Sequence, residues 1–218
     1  MGTEGFISVV NAVESDHYDD ITKGSPIFQL KNDKMIPVQY FMHTKQRRIQ
    51  FLKYKDVLFM WQTFRNIGNE SEKSHCPILK WVDSSFNEID KIPCSNAMQL
   101  EPFLINNQIY IAVANYMDER QNIETYSTIF HYDNETRKFN LTQKLKTFGA
   151  IDVKYVQIGD NHFLFVANSF HVRGGAHTST SNGVVYRFDE RSTFVPIQIL
   201  QFDAEVTQFL PYLVRYLN

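Results

Sequence analysis

The sequence is short of the residues that loops consume. Of 218 residues, only 9 are glycine and 7 are proline. That disfavours a loop-rich or disordered chain. Cysteine occurs twice, at Cys76 and Cys94, which excludes a zinc site made of four cysteines. Charge of either sign is not in excess: the net charge is −2, so no basic footprint calls for nucleic acid. No apolar run approaches the ~18 residues of a membrane span, so no membrane insertion is expected. The N-terminus, MGTEGFISVVN, has no basic region or cleavage-type segment. It opens almost inside a strand, as a cytosolic protein or an incomplete chain would. Gly2 does not make a myristoylation signal, because residue 6 is Phe6 where Ser or Thr is expected. Nucleophile, metalloprotease and phosphate-loop motifs (G-x-S-x-G, H-E-x-x-H, G-x-x-x-x-G-K) are absent. The sequence therefore implies no cofactor, metal or catalytic residue.

What is abundant is apolar and aromatic. Apolar residues make up 43%, with 18 Phe and 11 Tyr, a composition that favours β-structure. It is also repetitive. ISVVNAV (7–13), IAVANYM (111–117) and LFVANSF (164–170) are one phrase, and LFMWQ (58–62) fills the gap. Anchored on Asn11, Gln62, Asn115 and Asn168, the intervals are 51, 53 and 53 residues. A second phrase lies between them: SPIFQL, CPILKW, STIFHY and GVVYRF. A third follows: MIPVQYF, FNEIDKI, FNLTQKL and FVPIQIL. A looser fourth runs RRIQFLKYKD, NAMQLEPFLINN, GAIDVKYVQIGD and DAEVTQFLP. Each phrase alternates in polarity and is bounded by Asn, Asp or Gly, as in strands closed by tight turns. Four strands, A to D, at a period near 50 are the signature of a β-propeller blade. One such sheet cannot cover its own faces, so blades must pack on one another. The approximate repeats are 1–52, 53–105, 106–158 and 159–218, in one propeller region. The apolar-Asn phrase is strand B, where small residues admit the next blade and the Asn ends the strand.

The repeat resembles the EAR, or EPTP, family. The match is best over TFGAIDVKYVQIGDNHFLFVANSF and NGVVYRFDERSTFVPIQIL. There Ala150, Asp152, Gly159, Val166, Ala167, Asn168, Tyr186, Phe188, Phe194 and Gln198 fall on the family's pattern. The third repeat follows with Ala112–Asn115, Ser127, Ile129, Phe130, Tyr132, Phe139 and Gln143; the match is weakest around 41–75. The resemblance implies an all-β propeller, usually of seven blades, that binds other proteins in a secreted or cell-surface setting and is not an enzyme. Here about four repeats begin in strand B and end in or after strand A. Those ends are complementary parts of one blade, which fits a ring closed by its terminal strands or a piece of a larger ring. An incomplete ring would expose blade faces and invite self-association.

In such a blade the B–C and D–A connections share one rim. The B–C loops are long and divergent, and divergent loops on a repeated scaffold are where binding concentrates. The partner-binding candidates are Asp16, His17, Tyr18, Arg65, Asn66, Asp118, Arg120, His171, Arg173 and His177. The acids Asp16, Asp19 and Asp20 lack any calcium-loop spacing. His171 and His177 lack a third metal ligand, and the isolated RGG between them has no basic tract for RNA. Cys76 and Cys94 bracket a C–D hairpin centred on Ser85. Pairing Cys76 opposite Cys94 is compatible with a disulfide, which the family's extracellular setting favours over two free thiols. Asn69, Asn134 and Asn140 head glycosylation sequons; Asn69 falls in a loop, Asn134 in a turn and Asn140 in a strand. The expected function is a non-enzymatic extracellular protein–protein interaction module. The alternatives are a cytosolic scaffold, or a propeller lyase or glycosidase, for which Asp152 and Glu205 occupy equivalent strand starts.

Overall fold

The computed structural model describes residues 5–10, 24–41, 46–64, 75–169, 171–173, 176–178, 181–202 and 206–211. All regular structure among them is β, in antiparallel sheets, with no helix. The fold is the expected all-β assembly of propeller-type blades, in two compact units, Met1–Pro93 and Cys94–Asn218.

The first unit holds a three-stranded meander, β1 (Gly5–Ser8), β2 (Ser25–Lys31) and β3 (Lys34–Phe41). It also holds a four-stranded one, β4 (Gln46–Tyr54), β5 (Val57–Phe64), β6 (His75–Val82) and β7 (Ser85–Pro93). The second unit holds β8 (Ala97–Ile105), β9 (Gln108–Asn115), β10 (Glu124–Asp133) and β11 (Lys138–Phe148). Its other blade is β12 (Ala150–Ile158), β13 (Asn161–Asn168), β16 (Asn182–Phe188) and β17 (Phe194–Gln201). A two-stranded ribbon, β14 (His171–Arg173) and β15 (Ala176–Thr178), is inserted between β13 and β16. The four sheets are called blades 1 to 4 below.

Local sequence explains the hairpins. Asn32–Asp33, Asp83–Ser84 and Asn106–Asn107 have positive φ at both central residues (50° and 59°, 50° and 67°, 49° and 60°). Consecutive left-handed residues give the turn whose twist matches the flanking strands, and Asn and Asp tolerate that region best. The longer C–D turns use a side chain instead. Asp133 Oδ1 accepts from the N–H of Glu135, and Asp189 Oδ1 accepts from those of Arg191 and Thr193.

Two irregularities recur in register. Every D strand carries one extra residue at the same place: Val38, Ile89, Thr142 and Ile197. The A strands β4, β8 and β12 carry one at Arg47, Met98 and Ile151. Bulges bend and twist the sheet, and on the outer D strand they also spoil a flat edge that another chain could extend.

The core of the first unit gathers Ile27, Met60, Leu79 and Phe86, with Phe6, Phe51 and Trp81 packed against them. In the second unit it runs from blade 3 to blade 4 through Phe103, Ala112, Ile129, Val153, Leu164 and Phe194. Phe103 stacks on Tyr155 at 4.5 Å. Ala112 and Ala114, at 2% and 0% exposure, are small enough for the two blades to close on each other.

Three sequence expectations are corrected by the ladder. The partner of Gln46 is Phe64, as Ala97 pairs Asn115 and Ala150 pairs Asn168; Phe64, not Gln62, holds the Asn position of blade 2. Gln62 instead takes the place of Val113 and Val166, inside the strand. Cys76 pairs with Ile92 rather than Cys94, because the two-residue turn is centred on Asp83–Ser84 and Ile89 is bulged out. The cysteines are nonetheless disulfide-bonded, two positions off the directly opposed register, and both are buried. Finally, Val206–Pro211 of the DAEVTQFLP phrase is not a strand. Phe209 donates its N–H to Asp152 Oδ2 at 2.8 Å and sets its ring against Phe165, so the segment is held by side chains instead of a ladder.

Candidate interaction site

The rim of the second unit is built around two asparagines. Asn168, at the end of β13, accepts the N–H of Phe148 at Oδ1 (3.0 Å) and donates from Nδ2 to Asn182 Oδ1 (2.9 Å). Asn115, at the end of β9, accepts the N–H of Ser95 at Oδ1 (3.0 Å) and donates from Nδ2 to the carbonyl of Tyr126 (2.9 Å). Both are buried. Each therefore ties three segments together: the D–A connection, its own strand end and the start of strand C. Buried polar groups satisfied on all sides fix a unique geometry. The Asn phrase is a frame for the loops and not part of their exposed surface.

The blades are also tied at the rim. Gly149, with φ of 58°, donates its N–H to the carbonyl of Ile123 (2.8 Å), and its own carbonyl accepts from Ser169 N (3.0 Å) and Oγ (2.9 Å). The D–A connection of one blade thus braces the B–C loop of the preceding one. Glycine suits this place because the left-handed region is open to it.

The B–C loop of blade 3 is organised by Asp118. Its Oδ1 accepts the N–H groups of Arg120 and Asn122, both at 2.8 Å, and its Oδ2 accepts from Asn122 Nδ2 at 3.0 Å. These bonds, that from the Asn122 side chain foremost, hold the Asp118 carboxyl below the usual carboxylate range. Asp118 is thereby a loop-building residue, whereas Arg120 is exposed and available for contact. Beside the loop lies an open concavity of about 460 Å³, lined by Asn122, Ile123, Glu124, Tyr126 and Lys146 among others. Tyr126 is 51% exposed. Lys146 and Glu124 form an exposed ion pair at 2.6 Å, which raises the lysine above its ordinary pKa. Tyr126 and Lys146 are not among the sequence candidates, because both lie in strands. Their signal is the alternation in ETYSTIF and QKLKTF, which puts them on the faces opposite Thr125 and Leu145.

Of the remaining candidates, Asp16, His17, Tyr18, Arg65, Asn66 and Asn69 lie outside the described residues, as do Asp19, Asp20 and Glu205. His171, Arg173 and His177 fall on the ribbon β14–β15, where His171 pairs Thr178 and Val172 pairs His177. The fourth B–C connection therefore carries regular structure, which its isolated Gly-Gly and polar composition do not suggest. Asn134 is exposed in the β10–β11 turn. Asn140, expected to be the weakest sequon for lying in a strand, is also exposed, because β11 is the outer strand of its sheet. Among the described residues, no group of three or more His, Cys, Asp or Glu side chains is placed to hold a metal ion. Asp152 is buried at the start of β12, and its equivalent in β8 is Gln99.

Comparison with known proteins agrees with this architecture. Residues 138–189, from strand D of blade 3 through strand C of blade 4, match the EPTP domain. The chain is similar to the thrombospondin-type laminin G domain and EAR repeat-containing protein of Mus musculus, 32% identical over 122 residues, covering 56% of this chain and 18% of that protein. The Homo sapiens protein of the same name is 28% identical over 123 residues, with the same coverage. Leucine-rich glioma-inactivated protein 1 of Homo sapiens is 29% identical over 93 residues, covering 43% and 15%. The chain thus spans less than a fifth of the length of these curated relatives. A crystal structure of the GH43_1 enzyme from Xanthomonas citri aligns with a TM-score of 0.44 and 11% identity over 72% of this chain and 55% of that one, a likeness that carries no argument. Residues 138–189 thus match the EPTP domain, and the repeated blades and framing asparagines fit the chain's similarity to EAR (EPTP) repeat proteins.

Proposed function

We propose that this chain is a non-enzymatic protein–protein interaction module of the extracellular space, and that it engages a secreted or cell-surface protein through the B–C rim. The observation that carries the proposal is the loop of blade 3. It is held by hydrogen bonds made with Asn115, Asp118 and Gly149, and it presents Arg120, Tyr126 and the Glu124–Lys146 pair to solvent. A preorganised aromatic and charged surface binds without the cost of ordering it, and Tyr and Arg dominate protein interfaces. The disulfide between Cys76 and Cys94 supports an oxidising compartment, as do sequons whose Asn134 and Asn140 are exposed. Kinship with EAR-repeat proteins supports a binding role.

The test is to secrete the chain, display it multivalently on cells expressing a library of ectodomains, and identify what it captures. The combination Arg120→Ala, Tyr126→Ala and Lys146→Glu is expected to abolish capture while leaving the melting temperature unchanged. Capture that survives all three substitutions would remove this rim from the function. Turnover of a polysaccharide substrate by the intact chain would overturn the non-enzymatic assignment.

A further inference from the structure

The C–D hairpin of blade 3 carries two sequons, Asn134-Glu135-Thr136 and Asn140-Leu141-Thr142. Both have threonine at the third place and no proline at the second, so both fit the acceptor pattern for N-linked glycosylation. Asn134 stands in the turn between β10 and β11, and Asn140 stands near the start of β11. Both are exposed. Among the described residues, no hydrogen bond engages either side-chain amide. Other exposed asparagines are engaged: Asn87 Nδ2 donates to Ser85 Oγ and Asn122 Nδ2 to Asp118 Oδ2, each at 3.0 Å. The sequon threonines serve the fold. Thr136 Oγ1 donates to Asp133 Oδ2 at 2.8 Å, and Thr142 Oγ1 donates to the carbonyl of Ile129 at 3.1 Å. The hydroxyls build the turn and the bulge, and the asparagine amides are left to solvent.

The bulge at Thr142 decides where Asn140 points. Three residues apart on a regular strand, Asn140 and Gln143 would face opposite ways. With Thr142 bulged out, Asn140 pairs His131 and Gln143 pairs Ile129, so both lie on one face. That face meets blade 4: Gln143 donates from Nε2 to the carbonyl of Phe194 (2.7 Å) and accepts its N–H at Oε1 (2.8 Å). Asn140 is exposed with blade 4 already packed there. It also stands on an edge. β11 is the outer strand of its sheet and, at 11 residues, the longest described strand. A long edge strand offers unpaired backbone groups to any strand that approaches. An oligosaccharide on Asn140 is wider than the ~4.8 Å spacing at which an added strand would sit. The rim is far from it: Lys146, the partner of Tyr126, is about 20 Å along β11.

We propose that Asn134 and Asn140 both carry N-linked oligosaccharides, and that the one on Asn140 guards the outer edge of blade 3 against strand addition. The proposal rests on the extracellular reading above, since the transfer takes place in the secretory pathway. In that transfer the asparagine Nδ2 bonds to the anomeric carbon of an oligosaccharide carried on a polyprenyl diphosphate. The bond from that carbon to the diphosphate oxygen breaks, the amide loses one proton, and the lipid diphosphate leaves.

Secretion of the intact 218-residue chain behind a cleavable signal peptide, with glycan release in heavy-oxygen water, tests this. Each occupied asparagine becomes a labelled aspartate that peptide mass spectrometry locates, and positions 134 and 140 are both expected to be labelled. An unlabelled Asn134 or Asn140 overturns the proposal. Sedimentation velocity reads the guarding role. Asn140→Gln is expected to show a sedimentation coefficient that rises with concentration, beyond any rise in the unmodified chain. Asn134→Gln, which also loses one glycan, is expected to sediment as the unmodified chain does. Enzymatic trimming of the folded, unmodified chain should give the same rise as Asn140→Gln, with no substitution to disturb folding. A trimmed chain that associates no more than Asn134→Gln overturns the guarding role. Partner capture is scored apart from this: a chain labelled at both sites that captures no ectodomain counts against the binding role alone.

Discussion

Asn168 accepts the backbone N–H of Phe148, twenty residues earlier, and Asn115 does the same for Ser95 over the same interval. The repetition makes the asparagine a structural latch between a blade's entrance and the end of its second strand. Asn168→Ala leaves the Phe148 N–H and Asn182 Oδ1 without these bonds in a buried site. The expected cost is about 1–3 kcal/mol, read as a lower urea midpoint with an unchanged slope. A midpoint within error of the unmodified chain would mean that the latch is dispensable.

Glu101 and Lys154 join blades 3 and 4. Lys154 Nζ donates to Glu101 Oε2 at 3.0 Å, and Tyr155 N–H approaches Oε1 at 3.4 Å. Burial nevertheless holds the Glu101 carboxyl above its ordinary pKa, with Lys154 only partly offsetting it. For a carboxyl with a raised folded pKa, the added stability is complete below the unfolded pKa and is lost as pH rises through the folded one. The stability of the native chain relative to Glu101→Gln is therefore expected to fall as pH climbs from the ordinary carboxylate range through the raised value. Melting temperatures of both proteins across that range decide it. A difference that is flat, or that grows with pH, refutes the assignment.

Gly183 is kept bare by a neighbour. A Cβ there would lie 2.7 Å from Phe209 Cζ and 3.5 Å from Leu200 Cβ. The ring tip belongs to a segment without ladder bonds, so it is the part that yields. Gly183→Ala is expected to release Val206–Pro211 and speed hydrogen exchange at the Phe209 amide, whose acceptor is Asp152. The β13–β16 ladder should keep its protection. Slow exchange at Phe209 in the variant would show that the ring has room.

Reduction of the Cys76–Cys94 bond should cost roughly 3 kcal/mol on the chain-entropy account of a loop this size. Guanidinium unfolding with and without reductant measures it, and Cys76→Ser with Cys94→Ser should match the reduced protein. Coincident curves for the oxidised and reduced chain would place the bond outside the folding energetics.

Much of this architecture is legible without coordinates. The period near 50 residues, the β-like alternation and the Asn-rich turns are local properties, and local chemistry sets strand direction and hairpin closure. Asn115 and Asn168 stand out because their phrases are nearly identical. Phe64 does not, because the repeats align through apolar letters, and LFMWQTF offers two registers that differ by two residues on the same face. The pairing of Cys76 is hidden for a related reason. A bulge at Ile89 shifts the ladder by one residue, and nothing in FNEIDKI announces it.

The sequence by itself determined the repeat, the strands, their turns and the resemblance to EAR-repeat proteins. Which side chains meet across blades was decided only by the tertiary structure. The Gln143–Phe194 clamp spans 51 residues and the Glu101–Lys154 pair spans 53. The fit of Phe209 over Gly183 depends on three-dimensional packing that no periodicity encodes. Exposure was decided there too. Ile7 and Ile111 are the same letter in the same phrase, yet one is open and the other is sealed, because burial belongs to what packs against a residue and not to the residue itself.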